Sequence, residues 1–339
     1  MINLQQRIDI LSQLGQMLGQ ANTAYEKAVN KAIGDNGWFT TESIKTALHA
    51  IKHQFLDTEK LNRWAASYQL PENPAKQLSI GLVMAGNIPM VGFHDLLAVF
   101  VCGHRAQIKL SAKDTALLLY TLDLLTAINP QIADYFQITD TLKDFDAVIA
   151  TGNNNTSRYF NYYFGQYPHV IRKHRNSIAV LWGDETQRDI VALGQDIFQY
   201  FGLGCRNVSK LYIPLNYDFV FLLDNLAPFS DTMLHHKYKN NYDYYRSILL
   251  LNKEPHLASD FLMLVEKNSL ASPVSALYYE YFEDENDLSN KIIEQKDLLQ
   301  CVVSQPKRWG NCLPFGKTQE PALNDYADQN DIMLFLSSL

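Results

Sequence analysis

The hydrophobic residues of the first 70 positions recur at the spacing of an α-helix. They form two stripes, one at Ile8, Leu11, Leu14 and Leu18 and the other, after Thr41, at Ile44, Leu48, Ile51 and Phe55. Residues three or four positions apart share one face of a helix, so the pattern predicts a helical N-terminal region. Pro71, Pro74 and the polar residues around them predict a break before the next region.

Between residues 78 and 183 the pattern changes to short apolar runs that alternate with helical stretches. The runs predict strands at 78–85, 106–110, 147–151 and 177–182, and the stretches between them predict helices at 90–102, 114–126 and 156–164. Strands that alternate with helices are typical of βαβ units in a parallel, doubly wound sheet. Such a sheet binds ligands at the carboxyl ends of its strands.

A longer amphipathic helix is predicted at 185–201, and the glycines at 202 and 204 end it. Cys205 and a predicted strand at 208–213 follow, and residues 215–310 again mix the two patterns. The expected fold class is therefore α/β, with two doubly wound α/β domains and an N-terminal helical region. We place the domains at 1–183 and 184–310, followed at 311–339 by a segment that packs back or aids oligomerisation.

Composition and charge narrow the function classes. Of the 339 residues, 47% are hydrophobic and 19% charged, which is ordinary for a globular protein, and the net charge is −7. Because nucleic acids bind net basic faces, this charge argues against a nucleic-acid-binding protein. The apolar stretch 96–102 is too short to span a bilayer, and the first 16 residues lack the apolar core of a signal peptide. The four cysteines have neither disulfide nor CxxC spacing, so we expect free thiols and a cytoplasmic protein.

Several familiar motifs are missing from the sequence. No GxGxxG or GxxxxGK[ST] run is present, so neither a standard dinucleotide fold nor a P-loop is indicated. There is no HExxH, and His49 and His53 have no third ligand at a suitable spacing, so no metal is expected. His235 and His236 lie in a Tyr- and Lys-rich stretch, which is more typical of a solvated loop than of a substrate site.

Three segments contain candidates for chemistry. In 85–89 (AGNIP), the amide of Asn87 could donate to an oxyanion, although Asn is also common in ordinary turns. In 151–155 (TGNNN), N–H groups before a helix suit a phosphate, with the same ordinary alternative. In 201–205 (FGLGC), two glycines allow close approach to the sulfur of Cys205, a natural nucleophile for thioester exchange. A buried, inert cysteine is the alternative there.

The order and spacing of these segments resemble the aldehyde dehydrogenase superfamily. Residues 87–90 (NIPM) are similar to its Asn-Phe-Pro motif, 103–109 (GHRAQIK) to its Gly-Asn-x-Val-Val-x-Lys segment, 150–153 (ATGN) to its Thr-Gly-Ser loop, 198–205 (FQYFGLGC) to its Phe-x(4)-Gly-Gln-x-Cys motif, and 314–316 (PFG) to its late Pro-Phe-Gly. The resemblance implies a nucleotide-binding first domain and a catalytic second domain. It implies that Cys205 and Asn87 are catalytic and that the cofactor is bound by Lys109, Ser111, Thr151, Gly152 and Asn153.

Within that superfamily, the chain is most similar to the acyl-CoA reductases related to the fatty-acid reductase of bacterial luminescence. The similarity rests on 86–97 (GNIPMVGFHDLL), 150–160 (ATGNNNTSRYF), 171–181 (IRKHRNSIAVL), 200–214 (YFGLGCRNVSKLYIP) and 325–336 (DYADQNDIMLFL). It extends from about residue 78 to the C-terminus, which is over three quarters of the chain.

Two departures from the family pattern change the expected reaction. A family Glu that activates water would fall in 171–175 (IRKHR), and a family Glu that holds the nicotinamide ribose would fall near 269–271 (SLA); neither is present. Without a general base, hydrolysis of an acyl-enzyme is lost, and an acyl-CoA reductase does not need that step. Arg172 and Arg175 could bind a phosphate of NADPH or CoA or acidify the thiol, and a solvated edge strand is the alternative.

The resemblance therefore implies NADPH-dependent reduction of an acyl-CoA to the aldehyde through a thioester on Cys205, with NADH as the alternative cofactor. The expected partners are an acyl-CoA substrate, acyl-transferring proteins and further copies of the chain in a homo-oligomer, with no nucleic acid. Three alternatives stay open: an acyl-carrying subunit of a reductase complex, an aldehyde dehydrogenase acting oxidatively, and an inactive scaffold with a structural cysteine.

Overall fold

The computed structural model describes residues 2–152 and 154–339. The chain divides into two units, of which the first comprises Met1–His174 and Glu320–Leu339 and the second Arg175–Gln319. We refer to them as unit 1 and unit 2. Each contains its own sheet, so the prediction of an α/β protein with two sheet-containing domains is confirmed.

Four helices precede the first strand of unit 1: α1 (Leu4–Met17), α2 (Thr23–Asp35), α3 (Thr41–Phe55) and α4 (Thr58–Ser67). Each begins after a polar residue whose side chain accepts a hydrogen bond from a backbone N–H of the first turn; these residues are Asn3, Asn22, Thr40 and Asp57. The caps satisfy N–H groups that have no partner within the helix, so the local sequence sets where each helix begins. The predicted helical N-terminal region is confirmed.

Five parallel strands form the sheet of unit 1. They are β1 (Ser79–Val83), β2 (Arg105–Lys109), β3 (Phe136–Ile138), β4 (Ala147–Thr151) and β5 (His169–Arg172). Their order is β3-β2-β1-β4-β5, so the chain first builds outward from β1 on one side and then crosses to the other. The connections include α5 (Phe93–Val101), α6 (Ala116–Ile128) and α7 (Asn154–Phe164). The point where the strand order reverses lies between β1 and β4, which is where such sheets bind ligands.

The C-terminal residues complete the core of unit 1. Helix α12 (Ile332–Ser337) packs on α5, and the Met333 sulfur lies 3.7 Å from that of Cys102. The Tyr326 hydroxyl accepts a hydrogen bond from Trp64 Nε1 at 2.7 Å. These contacts bring residues more than 200 positions apart into one apolar cluster. The end of the chain therefore belongs to the core of the first unit.

The sheet of unit 2 has six strands in the order β11-β6-β7-β10-β9-β8. They are β6 (Asn176–Val180), β7 (Val208–Pro214), β8 (Leu257–Ala258), β9 (Met263–Glu266), β10 (Ala276–Phe282) and β11 (Leu299–Val303). All pairs are parallel except that of β8 with β9. The helices between them are α8 (Gln187–Phe198), α9 (Phe219–Leu226), α10 (His236–Leu251) and α11 (Glu285–Gln295).

The structure corrects the predicted boundaries. The strand Asn176–Val180 was assigned to the first domain by a boundary after residue 183, but it pairs with β7 and β11 in unit 2. An apolar run of this kind suits either sheet, so the local sequence could not show which one it joins. The predicted segment 311–339 is divided, with 320–339 in unit 1. Strands β3 and β5 lie outside every predicted element.

In the described part of the chain, no helix is both long enough and apolar enough to cross a bilayer.

Candidate active site

The carboxyl ends of three neighbouring strands bring most of the predicted cofactor residues of unit 1 to one edge of the sheet. Val83 at the end of β1 is level with Lys109 on one side and with Ala150 on the other. Asn87, Ser111 and Gly152 therefore follow parallel strands that end side by side. The edge lies at the reversal of strand order, so it has the position of a ligand site in a doubly wound sheet.

Two buried side chains hold the turn between β1 and α5 that carries Asn87. Asn36 Nδ2 donates to the carbonyl of Gly86 at 3.1 Å, and the Met90 N–H donates to Asp114 Oδ2 at 2.7 Å. Met90 has a φ of 59°, in the left-handed region that a side chain of its size rarely adopts. Asn87 itself is exposed. The turn thus presents the amide of Asn87 at the surface of unit 1 from a backbone that is fixed on both sides.

The carboxyl of Asp114 is buried and only partly hydrogen-bonded. It is 6% exposed, and its Oδ1 has no hydrogen-bond partner in the described part of the chain. Burial raises the pKa of the Asp114 carboxyl to about 7, and the hydrogen bond from the Met90 N–H opposes that shift only in part. The residue that fixes the Asn87 turn is therefore one that changes its charge near neutral pH.

Ser111 packs directly against the same turn. A Cβ on Gly86 would lie 2.5 Å from Ser111 Oγ and 3.2 Å from the Cβ of Asp114, so only glycine allows this approach. The Ser111 carbonyl also accepts a hydrogen bond from Thr115 Oγ1 at 2.9 Å. The resemblance to the aldehyde dehydrogenase superfamily implied cofactor binding for Ser111, and the structure gives this residue a packing contact with the Asn87 turn.

The remaining cofactor candidates of unit 1 lie at the ends of β2 and β4. Lys109 is exposed, and its carbonyl accepts a hydrogen bond from the Met84 N–H at 3.1 Å. Thr151 is half-buried, and the Gly152 N–H donates to the Arg172 carbonyl at 3.3 Å. A Cβ on Gly152 would lie 2.8 Å from the Phe160 ring, so glycine lets α7 pack close to the end of β4. Asn153 lies outside the described residues.

The two predicted phosphate-binding arginines have different surroundings. Arg172 is buried and forms a two-pronged ion pair with Asp95 of α5, at 2.6 Å from Nη1 to Oδ2 and 2.8 Å from Nη2 to Oδ1. This pair already compensates the charge of Arg172 inside unit 1, which favours a structural role over a phosphate ligand. Arg175 is half-buried in unit 2 and donates to the Leu299 carbonyl at 3.1 Å.

Cys205 lies in a turn of unit 2 between α8 and β7. It is half-buried, and its carbonyl accepts a hydrogen bond from Ser177 Oγ at 3.0 Å. The same hydroxyl accepts from the Cys301 N–H at 3.1 Å. The backbone before the turn is left-handed at Tyr200 and Phe201, with φ values of 53° and 57°. The thiol is thus held on an irregular segment and not on the regular helix end that the sequence suggested.

Two polar side chains organise the surroundings of this turn. Asn207 Oδ1 accepts from the Gly204 N–H at 2.8 Å, and Asn207 Nδ2 donates to the Gln199 carbonyl at 2.8 Å. Asp196 is 1% exposed and accepts hydrogen bonds from the Gly316 N–H and from Thr318. The late Pro-Phe-Gly segment, 314–316, is thereby attached to the end of α8, close in the fold to the Cys205 turn.

A group of aromatic side chains is packed in the interior of unit 2. Tyr238, Tyr245 and Tyr278 are buried; Tyr238 donates to the Phe261 carbonyl at 3.0 Å, and the other two hydroxyls lie 3.2 Å apart. The ring of His235 lies 4.3 Å from that of Phe201, in the segment before Cys205. Among the described residues, no cluster of three or more His, Cys, Asp or Glu side chains could hold a metal ion.

Sequence reasoning missed Asn36, Asp114, Ser177 and Asn207, which hold the two turns. Asn207 had a local signal, because it is a polar residue directly between the cysteine and an apolar strand. Asp114 and Ser177 had none, since their partners come from other parts of the chain.

Comparison with known proteins places the fold. No family model and no curated protein matches the sequence. Solved structures do match. A Burkholderia cenocepacia structure assigned to the aldehyde dehydrogenases has a TM-score of 0.67 and 14% identity, over 89% of this chain and 74% of that chain. The NAD⁺ complex of the Bacillus cereus aldehyde dehydrogenase has a TM-score of 0.62 and 12% identity, over 89% of this chain and 71% of that chain, and the Mycobacterium tuberculosis aldehyde dehydrogenase with NAD⁺ has a TM-score of 0.63 and 10% identity, over 89% and 73%. The chain has the aldehyde dehydrogenase fold. At these identities the likeness establishes the fold alone.

Proposed function

We propose that this chain is a nicotinamide-dependent acyl-CoA reductase that forms an aldehyde through a thioester on Cys205. The observation that supports it most is the half-buried thiol, held in a turn by hydrogen bonds on both of its sides, in a chain with the aldehyde dehydrogenase fold. A structural cysteine needs neither partial exposure nor an irregular, anchored backbone. Two structures with this fold contain NAD⁺, which supports the class of cofactor.

The edge of the unit 1 sheet suits a dinucleotide. Lys109 is an exposed cation at the end of β2, and Thr151 and Gly152 lie at the end of β4, directly before α7. Under the proposal, Lys109 holds the adenosine end while Thr151 and Gly152 border the nicotinamide half. The bound cofactor supplies hydride to the acyl carbon. NADPH is the proposed form, with NADH as the alternative, and Arg175 is the better candidate of the two arginines for a phosphate.

The protein's own groups account for the remaining chemistry. The Cys205 thiolate attacks the acyl carbon of the thioester, a new carbon–sulfur bond forms, and the CoA thiolate leaves and takes up a proton. The Asn87 amide and the Cys205 N–H donate to the oxyanion in both tetrahedral intermediates. Each such donor typically stabilises the transition state by about 3–4 kcal/mol. After hydride addition, the second intermediate collapses, the carbon–sulfur bond breaks, and the aldehyde is released with the thiolate restored.

The surroundings of β5 support reduction over hydrolysis. Residues 171–175 contain no carboxylate, and the carboxylate that approaches Arg172 is Asp95, which is engaged in a buried ion pair. Both oxygens of this carboxylate accept hydrogen bonds from the Arg172 guanidinium inside unit 1, so it is committed to the ion pair. The acyl group would therefore leave by reduction. The oxidative aldehyde dehydrogenase alternative, whose last step is hydrolysis, is therefore disfavoured.

The decisive experiment compares wild type with Cys205→Ala, using short-, medium- and long-chain acyl-CoAs with NADPH or NADH. Oxidation of the reduced cofactor is followed by absorbance, and the acyl adduct by the mass of the intact protein. We expect both signals in wild type, neither in Cys205→Ala, and both in Cys312→Ala, the matched control with a second half-buried thiol. Acyl-CoA reduction by Cys205→Ala would refute the proposal. An adduct without cofactor oxidation would instead support the acyl-carrying subunit.

The same proposal includes acyl-transferring partner proteins and a homo-oligomer. Light scattering of the purified chain, alone and with an acyl-carrying partner, tests both parts, and a monomer in every condition would contradict them.

A further inference from the structure

Asn207 is buried under the turn that carries Cys205, and both ends of its amide are in use. It is 3% exposed. Its Oδ1 accepts from the Gly204 N–H at 2.8 Å, and its Nδ2 donates to the carbonyls of Gln199 at 2.8 Å and Asp196 at 3.0 Å. One side chain therefore joins the end of α8 to the residue directly before the cysteine.

The segment between these attachment points is strained. Tyr200 and Phe201 are left-handed without being glycine, and such residues persist only where surrounding contacts determine the backbone. The Asp196 carbonyl belongs to the last turn of α8 and the Gln199 carbonyl to the residue that follows the helix, where backbone carbonyls have no helical partner. Asn207 Nδ2 satisfies both carbonyls and so stabilises the departure of the chain from the helix.

The turn is also fixed on the far side of the cysteine. Ser177 Oγ donates to the Cys205 carbonyl at 3.0 Å, while Asn207 accepts from the Gly204 N–H. The peptide that joins Gly204 to Cys205 lies between these two anchors. Its N–H is the backbone donor assigned to the oxyanion under the proposed function, and the thiol extends from the same residue.

We propose that Asn207 is a positioning residue that sets the orientation of the Cys205 thiol and of the Cys205 N–H. This inference rests on the proposed nucleophilic role of Cys205. The role needs an acceptor facing an N–H and a donor facing two carbonyls, which a primary amide provides and a carboxylate of the same shape does not. The Ser177 hydroxyl alone fixes only one side of the turn.

The test uses Asn207→Asp, which keeps the shape of the side chain but replaces the donor nitrogen with an oxygen facing two carbonyl oxygens. The matched control is Asn225→Asp on α9, whose Nδ2 donates to one helical carbonyl, that of Phe221. Two rates are measured on folded protein: acylation of Cys205 by acyl-CoA in a single turnover, and alkylation of Cys205 by iodoacetamide, located by peptide mass. Cys312 in the same chain serves as the internal standard for alkylation.

We expect Asn207→Asp to slow acylation of Cys205 by about 100-fold, as for a reacting group displaced by about 1 Å, with the Asn225→Asp rate unchanged. The KM for acyl-CoA should change little. Alkylation should change several-fold at Cys205 and not at Cys312. Rates within twofold of wild type in a folded Asn207→Asp protein would overturn the inference.

Two further outcomes separate this inference from its premise. The alkylation readout needs no reductase activity, so a change confined to Cys205 supports positioning even if acyl-CoA reduction is absent, while reduction by Cys205→Ala refutes only the proposed function. If Asn207→Asp does not fold, Asn207→Ser, which retains a smaller donor and acceptor, takes its place in both assays. Failure of both variants to fold would assign Asn207 to the stability of unit 2 and overturn the inference.

Discussion

The turns that carry Asn87 and Cys205 are built alike but anchored by different chemistry. Each contains a non-glycine residue in the left-handed region, and each is fixed by a buried side chain that accepts a backbone N–H. In unit 1 that side chain is the carboxyl of Asp114, with one oxygen unpartnered in the described part of the chain. In unit 2 it is the neutral amide of Asn207, with both ends bonded. The Asn87 turn should therefore respond to pH, and the anchor of the Cys205 turn should not.

Arg172 is a second buried charged side chain of unit 1, and its removal should have the largest effect on the free energy of unfolding. Arg172→Ala leaves the Asp95 carboxylate buried without its partner, which should lower the free energy of unfolding by about 3–5 kcal/mol. Urea denaturation measures the change. The double variant Arg172→Leu with Asp95→Leu should recover much of the loss, because no charge is then left unpaired.

Arg175→Ala is the control for this prediction, since Arg175 is half-buried and donates to the neutral Leu299 carbonyl. We expect a loss of about 1 kcal/mol or less. If Arg172→Ala proves as stable as Arg175→Ala, the ion pair does not hold β5 to α5, and the phosphate-binding role of Arg172 regains support.

The next effect should come from Asp114→Asn, which keeps an acceptor for the Met90 N–H and removes the ionisation. Folding raises the pKa of the Asp114 carboxyl from 3.8 to about 7, so the folded state binds the proton more tightly than the unfolded state. Stability from this group is thus fully present below pH 3.8 and lost as the pH rises through 7. Between these two pH limits, the contribution of the Asp114 carboxyl to the free energy of unfolding changes by at most about 4 kcal/mol.

Urea denaturation of Asp114→Asn at several pH values measures this effect. We expect the variant to gain stability over wild type above neutral pH and to gain little under acidic conditions. The control is Asp123→Asn, which removes an exposed carboxyl on α6, the helix that follows Asp114. A wild-type pH slope that persists unchanged in Asp114→Asn would show that another group is responsible.

Asn87→Ala tests the function of the unit 1 turn and not its stability. Because Asn87 is exposed, we expect the free energy of unfolding to change by less than about 0.5 kcal/mol. The loss of one oxyanion donor should lower kcat by about 10²–10³-fold with acyl-CoA. Steady-state kinetics beside a denaturation curve separates the two effects, and a kcat close to wild type would remove Asn87 from the mechanism.

A smaller loss of stability than that of Arg172→Ala is expected from Ser177→Ala, on the other side of the Cys205 turn. It removes the hydrogen bond to the Cys205 carbonyl and leaves the buried Cys301 N–H without its acceptor, at a cost of about 1–2 kcal/mol. Ser247→Ala, an exposed serine on α10, is the control. A pH-independent loss would match the neutral character of this turn, and a loss that varies with pH would contradict the comparison.

Local sequence predicted the elements well where capping and periodicity decide them. The strand Ala147–Thr151 was predicted with its observed bounds, and α3, predicted to follow Thr41, begins one residue earlier, after the capping residue Thr40. The strands Phe136–Ile138 and His169–Arg172 escaped prediction, because they are short edge strands of one sheet with little apolar pattern. The order of Asn87, Lys109 and Thr151 along the chain placed them at one sheet edge, since parallel strands end on the same side.

The sequence by itself determined the α/β class, the helical start, and the strand ends that carry Asn87, Lys109 and Thr151. These follow from side-chain periodicity and from turn chemistry, which act over a few residues. Only the tertiary structure decided that Arg172 is paired with Asp95 and that the carboxyl of Asp114 is buried against the Asn87 turn. It also decided that the strand Asn176–Val180 joins the second sheet. Burial and long-range pairing determine whether a side chain is charged, and no local sequence pattern shows which distant residue will contact it.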